Sequence, residues 1–156
     1  MTFGVEVCYI VTPLVRQKQI MEKLVHHWQH GYGAHYNPDR GLALGTIKIS
    51  ESIAEMLEEL GTGGKPLVVG TSSIERPEKK IGIAELKRLM RKDIQPMTLL
   101  FGTGWGLTDE TVSICDRMLE PVQGVKGFNH LPLRVALGII LDRIFGERGG
   151  QDERDD

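Results

Sequence analysis

The chain has 156 residues, of which 40 % are hydrophobic and 26 % are charged, and its formal net charge is −2. This composition is typical of a globular protein and argues against a disordered chain, and no apolar run approaches the ~18 residues of a membrane-spanning helix. A chain of this length can bury a core without disulfides or a metal, so we expect one compact domain.

The N-terminal segment, MTFGVEVCYIVTP, lacks a basic leader and reaches a proline early, which favours a strand over a signal peptide and predicts a cytoplasmic protein. Cys8 and Cys115 lie far apart without CxxC or Cys/His spacing, so two reduced core thiols are favoured over a metal site or a disulfide. The net charge makes no overall case for nucleic acid. The Lys- and Arg-rich segment 76–92 is a candidate RNA patch, although a solvated helix face is the favoured interpretation.

In chain order, the first predicted element is a buried strand over residues 5–11, closed by Thr12 and Pro13. A helix follows, because Ile20, Leu24 and Trp28 recur every four residues before Gly31. The segment GYGAHYNPDRG (31–41) predicts a loop, and a short strand is expected near 44–49.

Ser52 and Glu55 have the spacing of a capping box at the start of a second helix, and Gly61 is its expected stop. A short strand followed by glycine and hydroxyl residues is predicted in each of two segments, PLVVGTSS (66–73) and MTLLFGTGWG (97–106). A third helix between them is marked by Ile83, Leu86 and Met90.

Thr108 is the expected N-cap of a helix over 109–117, a brief strand is expected near 117–120, and Leu133 to Phe145 predicts the last helix. Strands that alternate with helices predict an α/β fold, with a mainly parallel sheet and helices on both of its faces. The apolar-free tail, residues 147–156, is acidic and expected to be disordered.

Ligands of parallel sheets bind beyond the carboxyl ends of the strands, where GTSS (70–73) and FGTGWG (101–106) are predicted to lie. Glycine there allows a backbone to approach a ligand, but a tight strand-to-helix connection without a ligand explains it equally well. FGTGWG matches the dinucleotide pattern GxGxxG only in its opening GxG, and no P-loop occurs, which disfavours a nucleotide-binding oxidoreductase.

Three segments, taken in their order along the chain, make the pattern more specific. LLFGTGWGL (99–107), then LEPV (119–122), then GFNHLPLRVALGIILDRI (127–144) resemble the second and third motifs of the SPOUT methyltransferases. VTPL (11–14), HGYGAHYNPDR (30–40) and VVGTSS (68–73) are also similar to the subgroup of bacterial RNA methyltransferases that occurs alone or fused to a tRNA guanine methyltransferase. The resemblance covers about residues 3–146.

The resemblance implies a SPOUT-like fold over residues 1–146 with a C-terminal trefoil knot, and a homodimer with its active site near the subunit boundary. Knots are rare, and nothing in the spacing of this sequence indicates one. Members of the family normally begin with a further strand and helix, so we expect this domain to be short at its N-terminus.

The resemblance also implies that S-adenosylmethionine is bound by three loops. The residues expected to contact this donor are Gly70, Thr71, Ser72, Phe101, Gly102, Gly104, Trp105, Gly106, Leu107, Leu119, Glu120, Pro121, Gly127, Phe128, Asn129, His130 and Leu131.

Three of the residues in and after the third loop are candidates for catalysis, and each has a simpler explanation. Glu120 can favour the cationic donor or be an ordinary exposed carboxylate. His130 can accept a proton or bond locally, and Arg134 can hold RNA or form a surface or interface salt bridge. Asn37 and Arg40, with Tyr36, are expected at the RNA substrate, although a turn-forming role suffices for NPDR.

The sequence therefore predicts an S-adenosylmethionine-dependent methyltransferase of tRNA or rRNA. An activated sulfonium needs mainly alignment of nucleophile and methyl group, so no metal is expected. The alternative is a non-catalytic knotted module that binds the donor or RNA without turnover.

Overall fold

The computed structural model describes residues 2–92, 96–126 and 129–146. The chain divides into two compact units, Met1–Gly63 and Gly64–Asp156. The predicted domain boundary at residue 146 and the predicted knot stay predictions, and the tail 147–156 lies outside the described residues.

The described part of the first unit has two strands paired in parallel and four helices, of which the first and the fourth contact the strands. In chain order the elements are β1 (Cys8–Val11), α1 (Val15–Gln29), α2 (Tyr32–Tyr36), α3 (Pro38–Leu44), β2 (Ile47–Ser50) and α4 (Ile53–Gly61). The register of the pair runs from Cys8 opposite Ile47 to Val11 opposite Ser50. The strand predicted over 5–11 is present but starts at Cys8.

The predicted loop over 31–41 is wrong, since two short helices occupy most of it. Asn37 ends α2 and caps α3, where its Oδ1 accepts a hydrogen bond of 3.1 Å from the backbone N–H of Arg40. Pro38 fills the first helical position, where a missing N–H costs nothing. The glycine, proline and asparagine residues here mark helix ends. Composition alone does not distinguish a pair of short helices bounded by such residues from a loop.

The apolar stripe that predicts α1 is confirmed as helical, but none of the fifteen residues of α1 is buried. Ile20 is 61 % exposed and Leu24 is 45 % exposed. Trp28, at the end of the stripe, is half-buried. The stripe is therefore left largely uncovered within its own unit.

The N-terminus of α4 is capped as predicted. Ser52 Oγ accepts a 3.1 Å hydrogen bond from the N–H of Glu55. The Glu55 carboxylate reaches back to accept from the N–H of Glu51 and from Ser50 Oγ, each at 2.7 Å. These bonds, the one from Ser50 foremost, hold the pKa of Glu55 below its ordinary value.

The second unit has a four-stranded parallel sheet of order β4-β6-β3-β5. In chain order its elements are β3 (Leu67–Gly70), a 3-10 turn (Pro77–Lys79), β4 (Lys80–Ile81), α5 (Ile83–Lys92), β5 (Met97–Leu100), α6 (Asp109–Ile114), β6 (Arg117–Leu119) and α7 (Leu133–Phe145). The two-residue strand β4 is too short to leave a periodic signal, and the sequence did not predict it.

Helix α6 ends at Ile114, three residues earlier than predicted. The reason lies in Asp116, whose Oδ2 accepts a 2.9 Å hydrogen bond from the N–H of Val68, while its own N–H donates to Val68 O at 2.8 Å. Lys79 Nζ donates to the carbonyl oxygens of Ser113 and Cys115, each at 2.7 Å. It thereby supplies hydrogen bonds to carbonyl groups at the C-terminal end of α6.

The core of the second unit joins the sheet to two helices that contact each other, α5 and α7. Its buried side chains are those of Val69, Ile81, Leu86, Leu119, Ile140 and Ile144. The prediction of an α/β fold with parallel strands is confirmed. The basic residues of α5 that point away from this core, including Arg88 and Arg91, form an exposed face, which fits both interpretations of segment 76–92, the solvated helix face and the RNA patch.

The prediction that both cysteines are core thiols is half right. Cys115 is buried, and burial raises the pKa of its thiol, whereas Cys8 is exposed. Cys8 and Val11, the two ends of strand β1, are exposed, whereas Tyr9 and Ile10 between them are half-buried.

Candidate functional site

The three loops predicted to hold a donor leave neighbouring strands of one sheet. Strand β3 ends at Gly70, β5 at Leu100 and β6 at Leu119, and β3 is paired in parallel with both of the others. Since the carboxyl ends of parallel strands meet at one edge, the segments that begin at Thr71, Phe101 and Glu120 all start from that edge. The structure thus places at one edge of the sheet three segments that are far apart in the sequence of the second unit.

The first and second loops are hydrogen-bonded where they leave the sheet. The backbone N–H of Thr71 donates to Leu100 O at 3.0 Å, and Thr71 Oγ1 donates to the same oxygen at 2.9 Å. The hydroxyl of Thr71 is therefore used to fasten the two strand ends. Ser72 Oγ accepts from the N–H of Ile74 at 3.0 Å and shapes the turn that follows.

The third loop is tied to the first by one side chain. Asn129 Nδ2 donates to the backbone oxygen of Ser73 at 2.9 Å, across 56 residues of sequence. Leu131 and His130 beside it are exposed. The predicted donor residues Gly127 and Phe128 lie outside the described residues.

Two of the predicted donor glycines have a packing role. A β-carbon at Gly70 would lie 2.5 Å from Met118 Sδ and 2.9 Å from Cys115 Sγ. A β-carbon at Gly102 would overlap the backbone of Gly106 and Leu107, because the second loop folds back on itself. Both positions require glycine whether or not a ligand is bound, which supports the tight-connection interpretation for these two residues.

The other two glycines of the second loop are open on the outside. Gly104 has φ +52° and Gly106 has φ +86°, and neither has an atom within 4 Å of a β-carbon placed there. Trp105 between them is fully exposed, at 104 % of its reference area. The turn is closed by a hydrogen bond of 3.0 Å from Gly106 N–H to Thr103 O, and the free space beside its two glycine α-carbons leaves room for a ligand laid along it.

Glu120 has a structural partner that the sequence did not reveal. Its Oε1 accepts a 3.3 Å hydrogen bond from the N–H of Ile83, the first residue of α5, and its own N–H donates to Ile81 O at 3.0 Å. The side chain is half-buried. Glu120 therefore caps α5, where a negative charge also interacts favourably with the helix dipole.

Arg134 lies in the first turn of α7 and is exposed. Among the described residues it forms no salt bridge, so the surface ion pair considered from the sequence is not made within that part of the chain. Its guanidinium is presented to solvent.

Asn37 and Arg40 lie in the first unit, at the junction of α2 and α3. Asn37 performs the capping role described above, and the Arg40 guanidinium lies 4.4 Å from the centroid of the Trp28 ring. Sequence reasoning named Tyr36 at this junction but missed Tyr32. Their spacing of four would have signalled a shared face if the segment had been read as helical.

A pocket of about 330 Å³ lies in the first unit, between α1 and β2, and is lined by side chains that include Glu22, His26 and His30. None of the predicted site residues lines it. Within residues 2–92, 96–126 and 129–146, no three His, Cys, Asp or Glu side chains are grouped to hold a metal ion, and no helix is long and apolar enough to cross a membrane.

A parallel sheet with glycine-rich loops at one edge defines an α/β domain of the kind that binds a ligand beyond its strand ends. The family model for SAM-dependent RNA methyltransferases matches residues 1–146. The chain belongs to this S-adenosylmethionine-dependent RNA methyltransferase family.

Curated relatives include proteins named tRNA (guanine-N(1)-)-methyltransferase. The one from Oleidesulfovibrio alaskensis is 36 % identical over 148 residues, and the one from Nitratidesulfovibrio vulgaris is 37 % identical over 148 residues. Each match covers 94 % of this chain and 34 % of the relative, so the chain spans about a third of the length of these proteins.

Among solved structures, the crystal structure of TrmJ from Z. mobilis ZM4 has a TM-score of 0.59. It is 15 % identical, and the match covers 96 % of this chain and 70 % of that chain. This similarity supports the fold predicted from the SPOUT motifs.

Proposed function

We propose that this chain binds S-adenosylmethionine among its three loops, residues 70–72, 101–107 and 119–131, and transfers the methyl group to RNA. The observation that carries the proposal is the departure of all three loops from one edge of the parallel sheet, in a chain that belongs to an RNA methyltransferase family. The relatives' names favour tRNA as the RNA, and a cytoplasmic place of action stays part of the proposal.

The residues present fit such a donor. The open backbone around Gly104 and Gly106 leaves room for a flat adenine ring, whose edge can bond to the backbone N–H and C=O groups that the turn's own bond, from Gly106 N–H to Thr103 O, does not use. When bound, the sulfonium supplies an activated methyl group. The bonds of Thr71 and Asn129 hold the loops in place beforehand, so that less ordering is needed on binding.

The remaining predicted residues have roles at the RNA. The exposed Arg134 guanidinium can hold a phosphate or the target base in line with the donor, where alignment supplies much of the rate. His130 is proposed to accept a proton when the target atom carries one. Asn37 and Arg40 are proposed to contact the RNA, and the active enzyme is proposed to be a homodimer.

A Gly104→Asn variant tests the donor site. Asparagine tolerates the left-handed backbone at φ +52°, so the loop keeps its shape while a side chain fills the open space. We expect S-adenosylmethionine and S-adenosylhomocysteine to bind at least about tenfold more weakly by calorimetry, a loss of ~1.4 kcal/mol. Gly4→Asn is the matched control, since Gly4 has φ +71° and open surroundings in the other unit. Equal donor affinity in both variants would remove the second loop from the site.

One observation favours the alternative of a binding module without turnover. The Glu120 carboxylate, one of three candidates for catalysis, is engaged at the start of α5. Incorporation of labelled methyl groups into bulk tRNA separates the two. A chain that binds the donor but transfers no methyl group in the presence of that RNA would be the binding module.

A further inference from the structure

Two tyrosines of α2 form an exposed aromatic pair that the donor site does not use. Tyr32 and Tyr36 are 75 % and 73 % exposed. Their ring centroids are 6.4 Å apart, and the ring planes differ by only 22°. Residues four apart in a helix share a face, so both rings stand side by side with their outer surfaces in solvent.

The pair is held on a fixed base. A β-carbon at Gly33, between the tyrosines, would lie 2.7 Å from Cε3 of Trp28, so the backbone of α2 rests directly on the indole. The Arg40 guanidinium lies 4.4 Å from the centroid of the same indole ring. The Asn37 cap fixes the turn that joins α2 to α3. Rings presented in this way lose little freedom when they bind a partner.

The charge around the pair suits a polyanion. From Lys23 to Gly41 the charged residues are Lys23, Asp39 and Arg40, so this stretch has a net charge of +1 with its four histidines neutral. Arg40 lies in the first turn of α3, directly after the Asn37 residue that ends α2, and it is exposed. Planar rings beside cations match the two parts of a nucleotide, the base and the phosphate.

We propose that Tyr32 and Tyr36 form a stacking platform for unpaired bases of the RNA substrate, with Arg40 positioned for the neighbouring phosphate. The platform selects single-stranded RNA, because the faces of paired bases in a duplex are already covered by their neighbours. The inference rests on the proposed function for its partner, and it adds which part of that RNA this unit recognises.

The test measures binding of the full chain to two labelled RNAs, a single-stranded twelve-residue oligoadenylate and a blunt duplex of the same length. We expect the single strand to be preferred. The double variant Tyr32→Ala/Tyr36→Ala should bind it about tenfold or more weakly. Tyr32→Phe/Tyr36→Phe should remain within about twofold of the wild type, since stacking needs the ring and not the hydroxyl.

Leu42→Ala is the matched control, because Leu42 is an exposed apolar residue of the same unit, at 66 % exposure. It should leave RNA binding unchanged. A single strand with 2-aminopurine in place of adenine gives a second readout, in which fluorescence falls when the base stacks. That quenching should be present in the wild type and the phenylalanine variant and absent in the alanine variant.

Three results would overturn the inference. The first is equal affinity of the wild type and the alanine variant for the single strand, and the second is a preference of the wild type for the duplex. The third is an alanine variant that sediments as a smaller species than the wild type, because the tyrosine pair would then be a contact between copies of the chain. Donor binding by calorimetry is measured on every variant. If the wild type does not bind the donor, the proposed function is refuted, and the RNA-binding measurements on the tyrosine variants are then judged independently of it.

Discussion

The side-chain amide of Asn129 donates a 2.9 Å hydrogen bond to the backbone oxygen of Ser73 and so joins the third loop of the candidate site to the first. This bond spans 56 residues of sequence. It links the segment before α7 to the turn after β3, which makes the arrangement of the two loops interdependent.

Replacing Asn129 by Asp should weaken donor binding with little effect on overall stability. Aspartate keeps the size of the side chain but removes the N–H that Ser73 O accepts, and one such bond is worth about 1 kcal/mol, or roughly fivefold in affinity. Calorimetric titration with S-adenosylhomocysteine measures the change. Asn37→Asp is the control, because Asn37 uses its oxygen and not its N–H. An unchanged affinity for Asn129→Asp would show that the bond does not order the site.

Two substitutions of Glu120 distinguish helix capping from an effect on the donor's charge. Glu120→Gln keeps an oxygen that can accept from Ile83, so we expect it to lose less stability than Glu120→Ala, which should lose about 1 kcal/mol by urea unfolding.

The effect of the Glu120 charge on the donor is tested by the ratio of the affinities for S-adenosylmethionine and S-adenosylhomocysteine. The sulfur of S-adenosylmethionine carries a positive charge, and that of S-adenosylhomocysteine does not. If capping is the role of Glu120, Glu120→Gln leaves this ratio unchanged. A selective loss of S-adenosylmethionine affinity would assign Glu120 to the donor instead.

Gly70 should be intolerant of a methyl group even without any ligand. A β-carbon there meets Met118 Sδ and Cys115 Sγ, so Gly70→Ala is expected to destabilise the fold by about 1–3 kcal/mol through overpacking. Thermal or urea unfolding of the ligand-free chain measures the loss. Gly138→Ala is the opposite control, because Gly138 lies in α7 with nothing within 4 Å, and alanine there should add about 0.5–1 kcal/mol of helix stability. Full stability of Gly70→Ala would contradict the packing described.

Acid should weaken the first unit through Glu55. Its pKa is lowered in the folded state by hydrogen bonds from Ser50 and from the N–H of Glu51, so its contribution to stability is present above the ordinary value of 4.5 and is lost as the pH falls through the lowered folded-state pKa.

We therefore expect the urea midpoint of the wild type to fall between about pH 5 and pH 3 more steeply than that of Glu55→Gln. Glu58→Gln changes an exposed carboxylate of the same helix and should retain the wild-type slope. Identical slopes in all three proteins would argue against the Glu55 interaction.

The agreement between sequence and structure differs along the chain. Caps within one turn were predictable, and both Ser52 and Thr108 accept the expected hydrogen bond from the residue three positions later. Helix α7 has the predicted bounds, Leu133–Phe145, because its apolar pattern is long. The segment 31–41 was misassigned because its glycine and asparagine residues mark the ends of two very short helices. Helices of this length are too short to show a periodic pattern of apolar residues.

The sequence alone determined the parallel α/β class, the family resemblance and the loops that leave the carboxyl ends of the strands, because these depend on periodicity and on motifs of residues within a few positions of each other. Only the tertiary structure decided the particular partners: Glu120 with Ile83 across 37 residues, Asn129 with Ser73 across 56, and the packing behind Gly70. Such contacts depend on the order of the strands in the sheet, and no local pattern of residues encodes that order.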